Sequence, residues 1–209
     1  MNKPTKIAKP TETIWTTLEL DWFSKNSYNI AVKHLGDWHP RQSLRLVLSC
    51  IKFIDHYPND IGRQISEDLA LRKMFCEFTG ATALITLARG EDNIELQLQE
   101  YLEVRKHVDT FDKLLESKGD TMEEVSHMDL LQKLSILLAF DFEAACYLKA
   151  WDSLGEVIIK AALCKSMKVY QLMADCLLCT EAPTTGQHTF NSPPQLSSCT
   201  LRTIPNIHQ

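Results

Sequence analysis

Two of the chain's seven cysteines stand as Cys176-Leu-Leu-Cys179, a spacing that suits a redox pair or half of a metal site. A redox pair of the thioredoxin kind needs a strand running into a helix, with the reactive thiol at the helix N-terminus. Here the motif lies near the end of an apolar helical pattern. A zinc site needs two more ligands, and His188 and Cys199 downstream fall at no recognised spacing. Cys176 and Cys179 therefore read as buried thiols packing as small hydrophobes. A thiol-dependent enzyme acting through them is the alternative that differs most in kind.

Asp141-Phe142-Glu143 sets two carboxylates beside a leucine-rich run. Residues two apart on a helix point to different faces, so these two do not form a close acid–base dyad. The expectation is a helix bend near Asp141, or a polar edge that bonds the end of a neighbouring helix. The seven histidines are scattered, and no pair has the i, i+4 spacing of a helical metal site. There is no Gly-rich phosphate loop and no G-x-S-x-G elbow. No residue is assigned as catalytic, cofactor-binding or metal-ligating, and no small-molecule substrate is expected. Trp15, Trp22, Phe23 and Trp38 are candidates of another sort. Aromatic side chains anchor protein interfaces, and the same four also suit packing between the first two helices.

The elements that must position these residues follow from periodicity. Residues 12–35 carry Trp15, Leu18, Trp22, Tyr28, Ile30 and Val32, mostly on one helical face, with Gly36 as a stop. A second helix opens near Pro40 and holds Leu44, Val47, Leu48, Ile51 and Ile54. A third, 67–89, turns Leu71, Met74, Phe75, Phe78 and Ala81 inward. Its small residues Gly80-Ala81-Thr82-Ala83 let a neighbour pack closely. A fourth, 91–115, shows Ile94, Leu98, Tyr101, Leu102, Arg105, Val108 and Leu115, with Glu91 and Asp92 at its positive end. Thr121 and Glu124 have the form of a capping box opening a fifth helix, which contains Leu130, Leu131, Leu134, Leu137 and Leu138. Two shorter helices follow. Residues 153–163 hold Leu154, Val157, Ile158 and Ala161; residues 166–180 hold Val169, Leu172, Met173, Cys176 and Leu177.

Seven helices with short links and no strand signal predict an all-α fold. Its architecture is antiparallel helical hairpins stacked as a tetratricopeptide-like α-solenoid. Trp151-x-x-Leu154-Gly155-x-x-Ile158 matches the first helix of such a repeat, with Ile where Tyr is expected, and Ala174 suits the second. The expected division is a disordered N-terminus (1–11), a helical repeat domain (12–182) and a disordered, Thr-, Ser-, Pro- and Gln-rich tail (183–209).

Charge and cysteine usage narrow the partners. Of 22 basic residues, Lys3, Lys6, Lys9 and Arg202 lie in the two ends. That leaves 18 against all 27 acidic ones, and a central region near −9. This balance argues against a phosphate-backbone surface and hence against direct DNA binding. The basic N-terminus reads as a solvated end, with DNA contact or an import signal as its alternatives. An odd number of scattered cysteines fits reduced thiols in cytosol or nucleus. No apolar run approaches membrane-spanning length.

The residues also carry a family resemblance. Trp22-Phe23-x-x-Asn26-x-Tyr28-Asn29 is followed by Asp37-Trp38 and by Phe75-Cys76-x-Phe78-x-x-Ala81-Thr82-Ala83-Leu84. Ala88-Arg89-x-Glu91-Asp92-Asn93-x-Glu95-x-Gln97-Leu98-Gln99-x-Tyr101-Leu102 leads to Arg105-Lys106-His107. Phe140-Asp141-Phe142-Glu143-Ala144-Ala145, Leu148-Lys149-Ala150-Trp151-Asp152 and Met173-Ala174-Asp175 come last. Across about 12–182 this resembles the C-terminal region of the fungal meiosis-specific Spo-twenty-two family, also called Zip-four homologues. The resemblance implies a tetratricopeptide-like solenoid in the nucleus, associated with chromosomes, whose partners are meiotic synapsis and recombination proteins. It implies no catalytic residues. Such proteins are several times longer, so the chain is expected to be a fragment or a truncated gene model; the polar stretch after Thr185 stands where the resemblance implies more helix. The competing expectation is a tetratricopeptide- or HEAT-like adaptor in a cytosolic or transport complex.

Overall fold

The computed structural model describes residues 15–118 and 123–180, and the regular structure within them is helical throughout. In chain order stand α1 (Thr17–Lys33), α2 (Pro40–Asp55), α3 (Arg63–Gly90), α4 (Ile94–Lys118) and α5 (Glu124–Tyr147). A turn of 3-10 helix at Trp151–Ser153 then leads into α6 (Leu154–Leu163), and α7 (Met167–Cys179) follows. The expectations for residues 1–11 and 183–209 lie outside the described residues.

Local chemistry sets where the helices begin. Thr16 caps α1 in a reciprocal box with Glu19, so this helix starts five residues later than periodicity alone suggests. The Glu19 carboxyl is held below its ordinary range by the Thr16 backbone N–H and then by the Thr16 hydroxyl. Pro40 takes the first position of α2, where a missing N–H costs nothing, and His39 Nδ1 accepts from the Arg41 N–H. α4 does not open at Glu91 and Asp92. Asn93 accepts the Glu95 and Leu96 N–H groups through Oδ1, and Glu91 ends α3 instead. Glu123 occupies the capping position of α5 without a side-chain bond; the Thr121 of the expected capping box lies outside the described residues. α5 then runs as one helix through Asp141 to Tyr147.

Consecutive helices from α1 to α6 pack on one another, and α7 packs on α5. Partners run in opposite directions: Gln97 of α4 bonds the Ala88 carbonyl near the α3–α4 turn, while His107 meets Glu77 further from it. The large core joins α3 to α7 around Tyr101, Phe111, Leu137, Leu138 and Phe142. A smaller one joins α1, α2 and α3 through Ala31, Val47, Cys50, Ile54, Leu69 and Cys76. The expected core stripes hold in most positions, but Leu48, Ile94, Leu102, Ile158, Leu172 and Leu177 are exposed. Ile158, Leu172 and Leu177 sit at the margin of their helix's packed face and Ile94 at a helix start, whereas Leu48 and Leu102 point away from theirs.

The small-residue stretch on α3 does what its composition predicts. A Cβ on Gly80 would stand 3.0 Å from Cε1 of the His107 ring, and that ring is fixed by its bond to the buried Glu77 carboxylate. Gly80→Val places two further methyl groups there, with no room to take them. The variant should lose about 1–3 kcal/mol, the usual cost of overpacking, measured by urea unfolding. Unchanged stability would show that α4 can move away.

Candidate protein-interaction surface

α1 carries two apolar stripes on opposite sides. At 100° per residue, Leu20, Ser24 and Ala31 share one face, and this is the face that is buried. Leu18 and Trp22 lie on the other and are 78 and 60% exposed, while Ile30, 40% exposed, sits between the two faces. The expectation that Trp15, Leu18, Trp22, Ile30 and Val32 form the packed face is therefore overturned. Small Ser24 and Ala31 share that face with Leu20 and let α2 pack closely against it. Arg72 of α3 reaches in to donate to the Ser24 hydroxyl at 2.7 Å and pairs with Asp21 at 3.3 Å.

Three of the four candidate aromatics come together at the N-terminal end of this helix. Trp15 meets Phe23 edge-on at 5.4 Å, Trp22 meets Phe23 edge-on at 5.1 Å, and Phe23 stacks on Phe53 of α2 at 5.2 Å. Phe23 and Phe53 are half-buried, so they form a floor on which the more exposed indoles stand. Packing between the first two helices thus describes Phe23, and it fails for Trp22. Trp38 is not part of this group. It lies past the far end of α1, stacked on His34 with ring centroids 4.2 Å apart. Phe53 escaped the sequence reading because it stands outside the Leu44–Val47–Ile51–Ile54 stripe of α2; an off-stripe aromatic was the signal available.

The other constellations turn inward. Asp141 and Glu143 are both buried on α5 and each meets a different arginine. Arg89 of α3 holds Glu143 through two bonds of 2.9 and 2.6 Å, and the Tyr101 hydroxyl donates to the same carboxylate at 3.1 Å. Arg105 of α4 holds Asp141 at 2.8 Å and also reaches the Ser153 hydroxyl. This is the polar edge read from the sequence. Burial raises the Asp141 carboxyl above its ordinary range, against the opposing pull of Arg105 and Lys160.

Cys176 is buried and Cys179 exposed, and neither is in a disulfide. Burial, with the Glu143 charge second, pushes the Cys176 thiol up to about 12, which disfavours the thiolate that redox or nucleophilic chemistry requires. His188 and Cys199 lie outside the described residues. Among the described residues no group of three His, Cys, Asp or Glu side chains is placed to hold a metal ion, and no helix is long and apolar enough to cross a membrane.

Two outcomes follow for these pairs. Arg89→Met leaves a nearly inaccessible carboxylate without its bidentate partner and should cost about 3–5 kcal/mol; Arg89→Met with Glu143→Gln should recover much of that, both read from denaturant midpoints. For Asp141 the folded state favours the protonated carboxyl. The stability this group adds is therefore complete below the ordinary value of 3.8 and is lost as pH rises through the raised folded value. Relative to Asp141→Asn, the native chain should lose stability as pH climbs through that window. A constant difference between the two would show that the carboxyl is not shifted. No protein-family model, curated protein or solved structure matches the chain.

Proposed function

We propose that the chain is a segment of a helical scaffold whose product is surface offered to other proteins. On the resemblance across residues 12–182, its setting is meiotic synapsis and crossover promotion on chromosomes in the nucleus. The architecture proposed is a tetratricopeptide-like solenoid of stacked antiparallel hairpins. A ladder of polar ties supports it, each joining a helix to the next but one. Asp21 of α1 pairs with Arg72 of α3, Arg41 of α2 with Glu100 of α4, Arg89 of α3 with Glu143 of α5, and Asp112 of α4 with Lys160 of α6. A stack in which every helix faces two successors needs such a pattern. One feature weighs against a regular last repeat: Trp151 sits in a 3-10 turn ahead of α6, where the tetratricopeptide pattern puts it within the first helix.

The observation that carries the reading is the outer face of α1. Leu18 and Trp22 are exposed on the side of the helix opposite its buried face, beside Trp15 at its N-terminal end, and exposed apolar surface of this kind marks interaction sites. Trp is also the residue most enriched among interface anchors.

The test is capture from meiotic cells on the full chain, compared with a Leu18→Glu/Trp22→Glu variant. Synapsis or recombination proteins should be retained by the native chain and reduced about tenfold by the variant, a loss of roughly 1.4 kcal/mol or more. The helical circular dichroism should be unchanged, since neither side chain is in the core. Recovery of no meiotic protein would overturn the meiotic setting; equal recovery by both chains would remove α1 as the site. Strong expression in vegetative cells would favour the cytosolic adaptor.

A further inference from the structure

Two cysteines outside the C-x-x-C motif meet inside the smaller core. Cys50 stands on α2 and Cys76 on α3, both without solvent exposure, in the core they share with Ala31, Val47, Ile54 and Leu69. Their thiols hydrogen-bond to each other, and neither is in a disulfide. Packing as a small hydrophobe accounts for the burial of either one. It does not account for two thiols from different helices brought together, since Ala or Val would fill either place with no polar group to satisfy.

The surroundings set this pair apart chemically. Arg72 lies near both thiols, and its positive charge favours the thiolate at each. Asp21 and Ser24 of α1 hold that guanidinium in place. The bond between the thiols is the largest influence on both: it holds Cys50 below its ordinary value and, with burial second, pushes Cys76 up. Cys50 is thus the thiolate and Cys76 the donor that supports it, the division between an attacking and a resolving thiol. α1 closes the site from outside. Its Ala31 belongs to the same core and Tyr28 packs against it, the phenol pushed up to about 12 by burial and then by the two cysteines.

We infer that Cys50 and Cys76 are a reversible redox pair, closing to a disulfide between α2 and α3 when hydrogen peroxide reaches them and opening again under a dithiol reductant. The Cys50 thiolate attacks one peroxide oxygen and the O–O bond breaks. Hydroxide leaves and becomes water with the proton that Cys50 gave up. The Cys76 sulfur then attacks the Cys50 sulfenic acid, the S–S bond forms, and the hydroxyl departs with the Cys76 proton as a second water. One peroxide is reduced and two thiols are oxidised. Both thiols are enclosed, so the peroxide, small and uncharged, enters when α1 lifts locally. Where thiols are kept reduced, a transient disulfide of this kind is a sensing device and not a structural staple.

The test treats the full folded chain with hydrogen peroxide, quenches it, blocks the remaining thiols in urea, and maps unreduced tryptic peptides by mass spectrometry. The expected product joins peptide 46–52 to peptide 74–89, in excess over every other pairing of the seven cysteines, and is lost when dithiothreitol precedes blocking. Cys76→Ala should stop at the Cys50 sulfenic acid, trapped by dimedone, whereas Cys50→Ala should leave Cys76 unlabelled. Thr16→Ala removes the cap of α1 and should speed the cross-link about fivefold. Cys50 and Cys76 recovered as free thiols after the exposed Cys179 has been oxidised would overturn the proposal, as would a cross-link that forms only in urea. An unchanged rate in Thr16→Ala would overturn α1 as the way in. Mapping the native chain decides the matter even if a core substitution fails to fold. Capture through the outer face of α1 is read separately, so the scaffold reading does not stand or fall with this pair.

Discussion

The fold depends on neutralising two carboxylates inside a helix that is buried all round. From Leu137 to Cys146 every residue of α5 is buried, enclosed by α3, α4, α6 and α7. A helix in that position should be apolar on every side, yet Asp141 and Glu143 interrupt it. Leaving either ion unpaired would cost several kcal/mol. Because the two residues point to different faces, one partner cannot serve both. Arg89 must come from α3 and Arg105 from α4, and meeting that requirement fixes where those helices lie around α5. Tyr101 tightens the arrangement, since its hydroxyl bonds Glu143 while its ring stacks on Tyr147 at 4.6 Å.

The same logic extends outward along the chain. Glu100 is buried on α4 and is met by Arg41 of α2 at 2.6 Å; burial raises its carboxyl, with Arg41 pulling the other way. Apolar packing holds neighbours together without fixing their register, since leucine stripes slide past one another at small cost. A charged pair under limited solvent access does not tolerate sliding. On the proposed reading this is why polar ties recur between helices two apart: they set the pitch of the stack, and the apolar cores supply most of its stability.

Periodicity made the helices legible, and failed in phase where a helix has two apolar sides. For α3 and α5 the large residues read as core are buried or packed against it. For α1 the heavy side chains mislead. Trp22 outweighs Ser24 on any hydrophobicity scale, but Ser24 lies inside because Arg72 needs its hydroxyl and because small residues admit close neighbours. The start of α2 was legible because Pro40 suits the first helical position and nothing beside it competes. The start of α4 at Asn93 was missed because the acidic Glu91 and Asp92 also suit a helix start. The candidate aromatics were visible as a cluster, but sequence spacing cannot place Trp38 one helix length from Trp22. A turn after Lys33 carries the chain away from the group.

Interior and terminal helices of such an arrangement obey different rules. α5 has no free side, so its sequence is constrained to fill space and satisfy charge. α1, α6 and α7 each have one packed side, and selection on folding alone would make their outer sides polar to keep the protein soluble. Instead Leu18, Trp22, Ile159, Leu163 and Leu178 are retained there. Apolar side chains held in water gain nothing from the fold and raise the risk of aggregation. Their persistence at both ends of the helix order is accounted for if something else covers them, and on the proposed reading that cover is other polypeptide. The aromatic end, with its indoles raised on Phe23 and Phe53, suits a few deep anchors.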